Sequence, residues 1–251
     1  MDYVASFFDS RSSSWSYASL RNFNKLSSPV QSHLQKVYLT LAAALLVSAL
    51  GVYVHILWHI GGLITSLGFI ATTAWLVSTP STPAEEGKRL KLLAAAAFFE
   101  GASVGTLVES VLQFDPSIVV MAFLGSVAVF ACFSGAALVA RRREYLFLGG
   151  ILSSVVSLML LLQFSSLIFG RSAFMYNVEI FGGLLVFMGY VLFDTQMIIE
   201  RANRGDYNYV KHALDLFVDF AAIFVRLLVI MTKNSSQRER RDRERRKRQS
   251  Y

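Results

Sequence analysis

The sequence carries little charge and almost no cysteine. Only 16% of its 251 residues are charged while 54% are hydrophobic, a balance far outside that of a soluble domain of this length. Cys132 is the only cysteine, which excludes an intrachain disulfide and says nothing of redox compartment; a small core side chain is its expected role. Residues 1–36 are rich in serine and hold no early apolar core, which argues against a cleavable signal peptide and leaves the first apolar run as an uncleaved insertion signal. There is no repeat of clear period, P-loop, dinucleotide fingerprint, Cys/His metal cluster or nucleophile elbow. The expectation is therefore neither an enzyme, nor a cofactor protein, nor a nucleic-acid binder.

What is present is apolar sequence in long runs. Six are easily read: Val37 to Ile56, Gly61 to Ser78, Leu92 to Leu112, Ser117 to Ala140, Tyr145 to Phe169 and Phe174 to Ile199. Each is roughly 18 residues or longer, enough to cross about 30 Å of hydrocarbon at about 1.5 Å per residue. Backbone groups in lipid must be satisfied within helices or a closed barrel, and continuous runs without two-residue alternation select helices. A seventh stretch, Ala213 to Met231, is shorter and more polar. The expected fold is an all-α polytopic membrane protein, a seven-helix bundle of six spans plus a charged C-terminal helix that spans or re-enters. The expected divisions are a polar cytosolic segment 1–36, a helical membrane domain 37–231 and a basic tail 232–251.

Basic residues sort by connection. Arg11, Arg21, Lys25 and Lys36 precede the first span; Lys88, Arg89 and Lys91, then Arg141, Arg142 and Arg143, then Arg201, Arg204 and Lys211 fill the even connections. The odd connections hold only Arg171. The positive-inside rule places the N-terminus and the even connections in the cytosol. The tail conflicts with this, since Lys233, Arg238, Arg240, Arg241, Arg243, Arg245, Arg246, Lys247 and Arg248 follow a possible seventh crossing. Charge counting favours re-entry, whereas an apolar helix with no Gly or Pro to turn it favours a span. Mixed with Glu239, Asp242 and Glu244, the tail is expected to be disordered or a solvated helix. Such a run attracts anionic lipid or an acidic partner such as calmodulin, although a topology and solubility role explains it equally well.

The seventh stretch reads HALDLFVDFAAIFVR and places Asp215, Asp219 and Arg226 in an apolar helix. At about 100° per residue they fall with His212 on one stripe some 60° wide, opposite Phe217, Ala221, Phe224 and Leu228. Such a stripe should face a protein-lined or watered interior. The sixth run ends FDTQMIIE. Asp194 there and Asp219 beyond the loop lie at similar depth, about 10 Å inside the cytosolic end, so the two carboxylates can meet. At contact in a dry site one of them holds a proton and hydrogen-bonds to the other, forming a proton-operated latch. Deprotonated, the pair offers oxygen ligands to Ca²⁺.

Secondary candidates are weaker. Glu100 sits near the depth of the pair and is a lining candidate. Glu109, Asp115 and Glu179 gather near the non-cytosolic surface against Arg171, an excess that could attract cations; singly, Asp215, Glu109 and Glu179 read better as interface residues than as ligands. Arg226 is a structural counter-ion for one of the carboxylates. His55 and His59 have i, i+4 metal-ligand spacing but flank Trp58 with no third ligand in sight, which favours interfacial anchoring. Gly101 and Gly105 let helices approach closely. An intramembrane aspartyl protease fits poorly, because Tyr190 and Asp194 do not form an adjacent YD pair and no Gly-x-Gly-Asp surrounds Asp219.

CFSGAALVARRREYLFLGG, FDTQMIIE and HALDLFVDF, in this order and at these intervals, resemble the Bax inhibitor-1 family over about Val37 to Met231, and the polar N-terminal segment and basic tail resemble its plant members. The resemblance implies a seven-helix protein of the endoplasmic reticulum membrane that suppresses programmed cell death and passes a pH-sensitive Ca²⁺ leak. It places the family's paired aspartates on Asp194 and Asp219, and implies calmodulin binding through the tail. Distant bacterial members carry an arginine in the second span, whereas Gly61 to Ser78 has no charge here, so that part of their gate does not carry over.

Overall fold

The structure is a computed structural model, and it describes residues 26–140, 144–170 and 172–249. Among the described residues it is helical throughout, with no strand. The helices are α1 (Ser28–Trp58), α2 (Leu63–Ser78), α3 (Glu86–Phe114), α4 (Pro116–Val139), α5 (Leu148–Phe169), α6 and α7 (Tyr209–Gln249). Helix α6 begins as Ala173–Asn177, passes a π turn at Val178–Gly182 and continues as Gly183–Asn203. Arg11, Arg21, Lys25, Arg141, Arg142, Arg143 and Arg171 lie outside the described residues.

The ends follow local chemistry. Pro29 stands in the first turn of α1, and Pro116 opens α4 behind Asp115, whose carboxylate accepts from the Ser117 amide at 2.9 Å. A proline costs nothing there, since the first-turn amides have no helical partner. Helix α1 ends on His59 in the left-handed region. Gly205, at φ 88°, turns the chain between α6 and α7.

Five helices are long and apolar enough to cross a membrane: α1, α3 with its short lead-in, α4, α5 and α6. Their outward faces are greasy, with Ile64 on α2 82% and Leu46 on α1 74% exposed, as lipid rather than water requires. Helix α2 is shorter than the sequence suggests, at 16 residues, because Gly61 and Gly62 belong to the turn before it.

Helix α7 is the centre of the bundle. It packs on α6, α4, α1 and α3, and Leu216, Phe217, Ile223 and Leu228 are fully buried. This is why ionisable residues are tolerated there: His212 and Asp219 are buried in protein, and Asp215 and Arg226 are partly so. The helix runs 41 residues without a break, so it holds no internal turn of the kind a re-entrant hairpin needs. It lies antiparallel to α6 along the whole of that helix, from His212 beside the 200–209 turn to Lys233, whose ammonium donates to Asn177 Oδ1 at the opposite end. The segment after residue 232, expected as disordered or solvated helix, continues as helix to Gln249. Arg, Lys, Glu and Gln are good helix formers, so an existing helix propagates through them at little cost.

Small residues bring α1 and α3 together. A Cβ on Gly101 would stand 2.0 Å from the Ser48 carbonyl oxygen, and one on Gly51 would stand 2.3 Å from that of Phe98. Cys132, expected in the core, is exposed on α4. That helix is apolar on every face, so nothing in its pattern marks which side is buried.

Candidate functional site

The candidate site lies where α6 meets α7. Asp194 and Asp219 face each other with their carboxyls in hydrogen-bonding contact, and Asp215 and Arg201 lie within electrostatic reach of Asp194. Asp219 is 3% exposed, and its Oδ2 has no hydrogen-bond partner. The stripe read from the 100° helical step therefore points inward, onto the FDT turn of α6. Tyr190, one turn before Asp194, also sits near both carboxylates.

Hydroxyls hold this region in register. Tyr38 of α1 is hydrogen-bonded to Ser134 of α4, and Ser134 Oγ lies 3.2 Å from Thr195 Oγ1, next to Asp194. Gln196 accepts from the Tyr145 amide at 2.8 Å and so ties α6 to the chain before α5.

The N-terminal end of α7 is held by groups that sequence reasoning assigned to topology or overlooked. Arg89, 4% exposed, donates to Asn208 Oδ1 at 2.8 Å and to Ser81 Oγ at 3.0 Å. Asn208 is also the cap of α7, accepting from the Lys211 amide at 3.2 Å. His33 Nε2 and His212 Nδ1 share a buried hydrogen bond of 2.9 Å, joining the start of α1 to the start of α7. Tyr209 donates to Glu86; partial burial and that carboxylate push its hydroxyl up to about 12. No local pattern announces these contacts, since each joins residues more than 100 positions apart or lies in a loop.

Several candidates stand elsewhere. Arg226 does not neutralise the aspartates: its guanidinium stacks on Phe187 at 4.4 Å, donates to the Ala222 carbonyl and faces Glu179. Arg226 lies about two turns further along α7 than Asp219, too far along the helix to pair with it. Glu100 lines an apolar cavity of about 330 Å³ between α1, α3, α4 and α7, beside Phe217 and Phe220, rather than the pair. The three acids of the far end are not one cluster. Glu179 accepts from Gln163, Asp115 caps α4, and Glu109 meets His55 and His59. That last contact corrects the expectation that the two histidines lack a third partner. Of the tail, the side chains of Arg240, Arg243, Arg246, Lys247 and Arg248 lie outside the described residues, while Arg241 and Arg245 are exposed.

With this arrangement in view, comparison with known proteins is decisive. Residues 30–236 match the family model described as "Inhibitor of apoptosis-promoting Bax1". The chain belongs to the Bax inhibitor 1 family. It is 55% identical to Bax inhibitor 1 of Arabidopsis thaliana, over 95% of this chain and 97% of that protein. It is 52% identical to the Oryza sativa protein of that name, over 94% of each. The human Bax inhibitor 1 is 42% identical, over 89% of this chain and 95% of its own. The family fits a multi-pass helical membrane protein of this architecture.

Proposed function

We propose that this protein suppresses programmed cell death from the endoplasmic reticulum membrane as a pH-sensitive Ca²⁺ leak, with Asp194 and Asp219 as its gate. Family membership supports the cell-death role. The observation that carries the gate is the contact of the half-buried Asp194 carboxyl with the buried Asp219 carboxyl on the neighbouring helix. Two such groups do not readily ionise together in a dry interior, so one proton joins them and latches α6 to α7. When it leaves, two anions repel, and their oxygens suit a hard cation. Asp215 extends the acidic lining toward the cytosolic end. Ca²⁺ is cargo in this reading, and neither a cofactor nor a covalent reaction enters it.

The test is Ca²⁺ efflux from liposomes holding the purified protein, measured across pH. Wild type shows a pH-dependent leak, and Asp194→Asn or Asp219→Asn removes the pH dependence. A leak that responds to pH identically in all three proteins contradicts the gate.

The helical basic tail favours a second reading, in which protection comes from partners such as anionic lipid or calmodulin and the aspartates only join helices. Removing residues 238–251 spares the Lys233 contact with Asn177 and separates the two. Under the channel reading flux and protection both survive the deletion; lost protection with unchanged flux supports the partner reading.

A further inference from the structure

A cluster that the aspartate gate does not use lies at the other end of the bundle. His55 occupies the last turn of α1, His59 follows one turn later at its C-terminal cap, and Glu109 reaches them from α3. His55 Nε2 and His59 Nδ1 stand 3.1 and 3.2 Å from the same carboxylate oxygen, Glu109 Oε2. All three donor atoms lie within 4.8 Å of one another. Ligands at about 2.0–2.2 Å from a tetrahedral zinc ion are separated by about 3.3 Å, so these atoms already stand at ligand spacing.

Two further features point to a ligand. His55 is 3% exposed, and its Nε2, aimed into the cluster, has no aligned hydrogen-bond partner despite its nearness to Glu109. His59 adopts φ 51°, the only positive φ of a non-glycine among the described residues. Left-handed backbone is uncommon for a side-chain-bearing residue, and such conformations concentrate at sites of function. Here it ends α1 with the His59 ring beside Glu109.

We propose that His55, His59 and Glu109 form a binding site for a divalent transition-metal ion of the zinc class. Two imidazoles and one carboxylate suit zinc and its neighbours, whereas Ca²⁺ takes oxygen ligands alone. The His59 side chain is 68% exposed, so water can complete the fourth position. Ligation also has a local consequence. The Gly61 amide donates to His55 Nδ1 at 2.7 Å, which leaves the neutral ring's proton on Nε2. A metal at Nε2 moves that proton to Nδ1, and the Gly61 peptide must turn aside. Gly61 and Gly62 form the turn between α1 and α2, so metal binding acts on that turn while it fastens the end of α1 to α3. The site is independent of the aspartate pair.

Zinc titration of the tag-free, chelator-stripped full-length protein in detergent tests this, read by calorimetry, with Co²⁺ absorption reporting tetrahedral geometry. The expected result is one ion per chain, with affinity at least about tenfold weaker in His59→Ala and in Glu109→Gln and unchanged in Asp194→Asn. His59 is exposed, so its loss leaves the fold intact, and an unaltered circular dichroism spectrum verifies that. Zinc should raise the thermal midpoint of wild type but not of His59→Ala. Absence of zinc binding to wild type, wild-type affinity retained in both site variants, or full displacement by equimolar Ca²⁺ would each overturn the assignment.

Discussion

Arg89 shows how much a single side chain can organise at the start of α7. Nearly fully buried, it bonds both Ser81, ahead of α3, and Asn208, the cap of α7. A hydrogen bond from a charged group is worth about 1.5–3 kcal/mol, so Arg89→Ala should destabilise the fold by roughly that amount, read as a fall in thermal midpoint in detergent. Arg89→Lys should recover only part of the loss, because one ammonium replaces a planar fork serving two acceptors. A wild-type midpoint in Arg89→Ala would contradict this. The same scale explains what could and could not be read beforehand. Asp194 and Asp219 were legible because helical periodicity and distance from a shared loop gave each a face and a depth. The histidine cluster was not, since Glu109 lies 50 positions from His59 on another helix. Arg89 looked like any other cytosolic base, and only the fold shows it enclosed.

Among the elements, long apolar runs gave all six helices, because no other structure satisfies a backbone in lipid, but α1 and α3 begin well before their runs, at Ser28 and Glu86 rather than Val37 and Leu92. Interruptions were less visible. The π turn of α6 and the brevity of α2 depend on packing against neighbours, and Cys132 was misplaced because α4 offers no polar face. A close helix approach was expected at Gly101 and Gly105; the structure shows that the partner is α1 and adds Gly51 on that facing helix. Gly101→Val should be strongly destabilising, since its Cβ would meet the Ser48 carbonyl backbone, which cannot swing away. Overpacking of this kind costs about 1–3 kcal/mol or more, read as a fall in thermal midpoint, while Gly87→Ala, with open space around it, serves as the neutral control. Equal midpoints for the two would show that the helices separate freely.

For the whole molecule, the most charged of the apolar helices is also the most enclosed. A bundle of α1, α3, α4 and α6 around α7 lets the chain keep carboxylates at membrane depth, and it brings the α6 and α7 acids into one place. The same geometry carries the basic tail out beside Asn177, at the end of the bundle away from Arg201 and Arg204. If Asp194 and Asp219 act as one proton-sharing unit, removing either is equivalent to removing both. Ca²⁺ flux across pH should therefore be flattened to the same extent in Asp194→Asn, Asp219→Asn and the double variant. Independent effects that add in the double variant, or a wild-type pH profile in any of the three, would contradict the shared proton.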